Sequence, residues 1–161
     1  MRLMVTQNVL ILCTGNSARS ILGEVIASSL PGLQGFSAGS KPKGQPVPMG
    51  LKVLKAHGHD VSKVSSKSWD VFAAPDAPKM DIIITVCDSA ANETCPYWPG
   101  HPVQVHWGLP DPAYIDDENQ QRAAFEAVYE RLFTQLKQLS ELSLDGLTDA
   151  QKREAIQSLH G

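Results

Sequence analysis

The chain has 161 residues, 42% of them hydrophobic, and a formal net charge of −3, which suits one domain with a sheet and helices on both faces and argues against a nucleic-acid partner. No apolar run approaches the roughly 18 residues of a membrane span, and Met1 to Gln7 is too short and polar for a signal peptide. Three cysteines make no disulfide scaffold, so a reducing cytoplasm is the expected location, where cysteines tend to be catalytic or redox-active.

Four apolar residues, Val9 to Leu12, read as a buried strand (about 8–12). A tight polar turn follows, Cys13-Thr14-Gly15-Asn16-Ser17-Ala18-Arg19-Ser20, and Ile21 onward takes helical spacing. The helix runs from near Ala18 to Ser29, and Pro31-Gly32 stops it. Backbone N–H groups in such a strand-to-helix turn point inward and the helix adds positive potential, so Thr14 to Ser20 suit a tetrahedral oxyanion. The same field is expected to depress the Cys13 pKa and make it the nucleophile. Arg19 can fold its planar guanidinium over the loop and clamp two anion oxygens. Ser20 can donate a hydroxyl hydrogen bond to the thiolate. The bland alternative makes Cys13 a small buried hydrophobe and Arg19 a surface charge. Gly15, Asn16, Arg19 and Ser20 falling where an anion cradle needs them favours the catalytic reading.

Further on, Gly35 to Ser40 reads as a second strand running into a turn, and Lys41 to Pro48 as a proline-rich loop on a fixed, extended path. A second helix follows with Met49, Val53 and Leu54 inward and Gly58 as its stop. The five histidines, including His57 and His59, have no metal-ligand spacing, so no metal is expected. Ser65 to Phe72 reads as a short helix. Asp81 to Val86 is apolar enough to be a central parallel strand, and it ends at Cys87-Asp88. Residues just past strand C-termini face the ligand crevice of an open α/β sheet, which puts Cys87 on the rim with Cys13. Ser89 to Pro102, with Cys95, reads as an irregular loop. Val103 to His106 is a fourth strand, running into Trp107-Gly108-Leu109-Pro110-Asp111-Pro112-Ala113. Asp111 is either a plain turn former or a carboxyl group that flanking prolines hold for general-acid work. A long helix spans about Glu118 to Leu142, with Phe125, Val128, Leu132, Leu136 and Leu139 on one stripe. Thr148 to Gln151 is a capping-box pattern before Lys152 to Leu159. This tail helix is the least anchored piece, free to pack on a partner chain. The three tryptophans read as loop packing. The element order fits a doubly wound α/β sheet.

The run Cys13 to Ser20 resembles the active-site loop of the low-molecular-weight tyrosine phosphatase superfamily, which includes one branch of arsenate reductases. The resemblance covers roughly residues 8 to 140. It implies a single catalytic domain over 1–161, with 143–161 a C-terminal helical extension, and a four-stranded parallel sheet in the order 2-1-3-4. It also implies that Asp111, in a late Asp-Pro, is the general acid. Phosphatases of the family follow Asp-Pro with aromatic residues that wall a phenol pocket; Ala113 leaves no such wall here. His106 to Ala113 is instead similar to the arsenate-reductase branch, as is a Cys at the third strand's end followed by a second Cys. That similarity implies an arsenate reductase acting in arsenical resistance. Cys13 would attack arsenate, Cys87 would resolve the adduct, and Cys95 would complete a disulfide for a thioredoxin-like protein. The Cys87–Cys95 spacing is one residue longer than the thioredoxin-coupled one, and Asp88 opposes thiolate formation at Cys87. Glutaredoxin with glutathione could then serve as reductant, and no cofactor would be tightly bound. The alternative readings are a phosphatase acting through a Cys13 phosphoenzyme on phosphotyrosine or small phosphomonoesters, and a non-catalytic oxyanion sensor. In each case arsenate, phosphate or sulfate fits the loop. Asn16, Glu24, Ser37 and Asp70 match positions that hold potassium in some relatives; ordinary capping and loop hydrogen bonds are the preferred account.

Overall fold

Four short segments make the sheet: the two central ones are apolar on both faces over most of their length, and the edge ones alternate buried and exposed residues in part. β1 (Gln7–Leu12) lies between β2 (Leu33–Ala38) and β3 (Ile82–Thr85), with β4 (Val103–His106) at the edge. All pairs are parallel and the order is β2-β1-β3-β4, as the resemblance implied. The computed structural model describes residues 6–87, 98 and 102–160.

Side chains alternate across a strand, so β1 feeds two cores. Val9 and Ile11 meet Ile82 and Ile84 under α1 (Arg19–Ser29), α2 (Pro48–Ala56) and α4 (Glu118–Glu141). Leu10 and Leu12 meet Ile83, Phe72 and Trp98 on the opposite face, where α3 (Asp70–Ala73) sits. The apolar stripe of α4 packs as expected: Phe125, Val128, Leu132, Leu136 and Leu139 are all buried. Gly58 ends the α2 region with φ +86°, the left-handed conformation that glycine adopts at low cost.

Two expectations are overturned. Ser65 to Phe72 is not a helix from its start; only Asp70–Ala73 is helical. The backbone before it is used elsewhere: Lys67 O accepts from Gly39 N, and Trp69 N donates to Gly39 O. A parallel bridge from Gly39 to Ser68 results. The tail helix, α5 (Asp149–Gln157), does not wait for a partner chain. Its capping box is formed by Thr148 and Gln151, and Ile156 is fully buried in the main core. It lies against β4 because Trp107, whose indole is buried and needs an acceptor, donates Nε1–H to Ile156 O at 3.1 Å. Trp107 is thus a core residue, as is Trp98, which Trp69 meets edge to face at 6.2 Å.

Candidate active site

The loop after β1 turns its carbonyls outward. Thr14 O accepts from Lys41 N, Gly15 O from Lys43 N and Ser17 O from Val47 N. Ser66 Oγ adds a second bond to Gly15 O at 3.3 Å. The proline-rich segment 41–48 is therefore a brace for this loop, which is why its path is fixed. Asn16 sits at φ 42°, a conformation open to Asn at modest cost. Its buried amide holds it there, donating to Ser20 Oγ (2.8 Å) and Ser37 Oγ (3.0 Å) and accepting from Lys67 N (2.8 Å). Gly39 lies so close behind the loop that a Cβ there would come within 2.4 Å of both Cys13 O and Thr14 O. Only glycine lets β2 and the loop approach this closely.

With the carbonyls out, N–H groups turn in. The Gly15 N–H faces the Cys13 sulfur, and the Thr14 N–H donates to Cys87 Sγ at 3.3 Å. Cys13 and Cys87 are both buried and neither is in a disulfide, and the Cys87 thiol is close enough to act on the acidity of Cys13. The expected depression of the Cys13 pKa is not found. The Cys87 thiol and then burial push it above the ordinary thiol range, while Arg19 and the Gly15 N–H pull the other way. The second thiol and the dry setting outweigh the cradle's field in this arrangement.

Arg19 and Asp111 arrive from opposite ends of the chain. Arg19 NH1 donates to Leu109 O at 2.9 Å, and NH2 pairs with Asp111 Oδ2 at 3.4 Å. Its Nε is buried with no partner among the described residues. Asp111 Oδ1 accepts from Ala113 N at 2.9 Å, capping a 3-10 turn, Pro112–Tyr114. Beyond it Tyr114 stands 77% exposed, with Lys43 Nζ 5.6 Å from its ring centre. Cys95 and Asp88 lie outside the described residues.

The residues matched to a potassium site do not fit an added ion. Ser37 Oγ donates to Glu24 Oε1 at 2.6 Å, but the cation among these oxygens is Lys67. Its ammonium donates to Ser65 O (2.7 Å) and Ser37 O (3.2 Å) and pairs with Glu24 Oε1 at 3.6 Å. Asp70 takes no part in that set; its N–H bonds Ser68 Oγ at the start of α3. Lys67 carries no signal in linear spacing, because it reaches Asn16 and Ser37 only through the Gly39–Ser68 bridge. Lys67→Met should lower stability by about 1–2 kcal/mol by stranding the Glu24 carboxylate. The wild-type melting temperature should respond equally to KCl and NaCl at matched ionic strength. A potassium-specific rise in the wild type would contradict this assignment. The other grouping of metal-type ligands among the described residues is His57, Glu126 and Glu130. It lies at the far end of α2 from the loop, and a His57–Glu126 pair at 2.8 Å accounts for it.

A four-stranded parallel α/β sheet whose first strand leads into a loop carrying a buried cysteine, with a paired arginine and aspartate held beside the next strands, has the architecture of the low-molecular-weight phosphatase class of α/β enzymes. The family model described as low molecular weight phosphotyrosine protein phosphatase matches residues 8–152, and the chain belongs to that family. It is 32% identical over 141 residues to a protein named arsenate reductase from Bacillus subtilis (strain 168), covering 86% of this chain and 98% of that one. Among solved structures, an arsenate reductase from Archaeoglobus fulgidus superposes with a TM-score of 0.64 at 22% identity, over 83% of this chain and 99% of that one. A low molecular weight protein tyrosine phosphatase from T. tengcongensis does so at 0.66 and 20%, over 85% and 100%. These two superpositions bear on the fold.

Proposed function

We propose that this chain is a thiol-dependent arsenate reductase, working in the cytoplasm as part of arsenical resistance. The observation that carries this reading is a second buried thiol, Cys87, beside Cys13: Thr14 N–H, next in the chain to Cys13, donates to the Cys87 sulfur. Phosphoester hydrolysis uses one cysteine; reduction of arsenic needs two electrons, and a thiol pair supplies them. The name of the 32%-identical relative from Bacillus subtilis, arsenate reductase, points the same way.

In this reading the loop amides of Thr14 to Ser20 and the Arg19 guanidinium hold arsenate over Cys13. The unpartnered Nε of Arg19 supports an anion as the missing acceptor. The Cys13 thiolate attacks arsenic(V), an S–As bond forms, and an As–O bond breaks. Asp111 gives a proton so that the oxygen leaves as water. The Cys87 thiolate then attacks the Cys13 sulfur. The S–As bond breaks with its electron pair passing to arsenic, arsenite leaves, and the two sulfurs remain as a disulfide. An external thiol reductant, thioredoxin or glutaredoxin with glutathione, returns both to thiols, with Cys95 as the terminal thiol of a thioredoxin-type relay. No tightly bound cofactor is required.

The deciding experiment is arsenite release from arsenate with thioredoxin, with glutaredoxin plus glutathione, or with neither. Release under one reductant supports the proposal. No release under any, together with rapid hydrolysis of phosphotyrosine, would replace it with a phosphatase acting through a Cys13 phosphoenzyme. Asp111→Asn should slow the oxygen-leaving step by about two to four orders of magnitude, read as single-turnover adduct formation. A loss below threefold would reduce Asp111 to a turn-forming residue.

A further inference from the structure

An edge strand exposes unpaired backbone groups, and β4 is the edge on the side of the acid-bearing segment. The tail closes that edge with one side chain. Gln157 Oε1 accepts from His106 N at 2.9 Å, and its Nε2 donates to His106 O at 2.6 Å. A primary amide offers one donor and one acceptor in a plane, so Gln157 pairs with His106 much as a neighbouring strand residue would. The next residue, Trp107, donates its indole N–H to Ile156 O. After it, Gly108 O lies 3.0 Å from His160 Nε2. Three consecutive residues are thus held by the tail from one side.

The two residues that matter most to Arg19 follow directly. Leu109 N donates to Val86 O at 2.9 Å, and Leu109 O accepts from Arg19 NH1. Asp111 pairs with Arg19 NH2, and Pro110 and Pro112 restrict the backbone on either side of it. The tail is itself fixed to α4: Arg131 NH2 donates to His160 O and Gln135 Nε2 to Leu159 O, both at 3.3 Å. The family match stops at residue 152, so Ile156, Gln157 and His160 all lie past the part shared with the family.

We propose that Gln157, supported by His160, is a positioning residue that fixes the segment Trp107–Asp111 so that the Asp111 carboxyl is aimed at Cys13. The extension is then a working part of the site, clamped on it from the sheet edge. The catalytic half of this proposal rests on the reading of Asp111 as the acid.

The test is a double-mutant cycle in the full-length protein, combining Gln157→Leu with Asp111→Asn, and amide hydrogen exchange on Gln157→Leu. We expect Gln157→Leu to lower kcat for arsenite release about tenfold, in line with a small misplacement of a catalytic group, while KM changes less than threefold. In the Asp111→Asn background the same substitution should cost less than twofold, because the group it positions is already gone. Exchange protection at Leu109 and Ala113 should fall while that of α1 amides stays unchanged. An equal loss in both backgrounds would mean general destabilisation and would overturn the proposal, as would unchanged protection at Leu109 and Ala113. His160→Ala serves as the second variant should Gln157→Leu not fold; it should lower the same protection and lose its effect in the Asp111→Asn background. If the wild-type chain releases no arsenite, the functional reading fails by itself, and the exchange experiment alone decides whether Gln157 fixes the segment.

Discussion

Cys13→Ser should abolish arsenite release, by at least about three orders of magnitude, and leave oxyanion binding within a fewfold of wild type. The asymmetry follows from how the site is built. On the proposed reading the anion is held by backbone N–H groups, whose orientation is fixed by outward carbonyls bonded to Lys41, Lys43 and Val47, and by Arg19, which Leu109 and Asp111 hold. None of these depends on sulfur. The reaction does, because a serine hydroxyl neither ionises readily nor bonds arsenic as a thiolate does. Serine is nearly isosteric, and Cys13 is only 6% exposed, so the fold should persist. Isothermal titration with phosphate and a steady-state arsenite assay separate the two effects. Activity within tenfold of wild type would move the nucleophile away from Cys13.

Much of this arrangement is legible in the sequence because it is local. Val9 to Ser20 contains its own strand, turn and helix start, so the cradle can be read from neighbours. The strands Ile82–Thr85 and Val103–His106 are short runs with clear ends, and α4 carries a long stripe. What escapes is set by contacts between distant segments. Lys67 takes a place among the Asn16, Glu24 and Ser37 side chains only because Ser65–Ser68 is extended along Gly39, and a helical reading of that segment hides it. The docking of α5 escapes for a related reason. Its one fully buried residue, Ile156, makes a weak stripe, while its main attachments are polar ones to His106 and Gly108, which leave no periodic signal. The Cys13 acidity is misread because the sequence puts Cys87, 74 residues on, on the same rim without showing how close the two thiols lie or how dry their setting is.

Cys87→Ser should leave adduct formation intact yet hold arsenite release below one equivalent per enzyme with thioredoxin. Cys87 follows β3, which pairs directly with the strand that delivers Cys13, and Thr14 N–H already points at its sulfur. Among the described residues it is therefore the thiol in reach of the Cys13 sulfur, and a serine hydroxyl there cannot displace arsenite. Cys95→Ser should be milder, with glutathione and glutaredoxin able to stand in for it. A companion variant reads the electrostatics. The Cys87 thiol is the largest cause raising the Cys13 pKa, so Cys87→Ala removes it and makes the Cys13 thiol more acidic. Alkylation runs through the thiolate, so the rate of iodoacetamide labelling at Cys13 should inflect at lower pH in that variant. An unshifted profile would mean that the two thiols do not interact in solution. Wild-type turnover from both Cys87→Ser and Cys95→Ser with both reductants would leave Cys13 as the only working thiol, with the second thiol supplied from outside the chain.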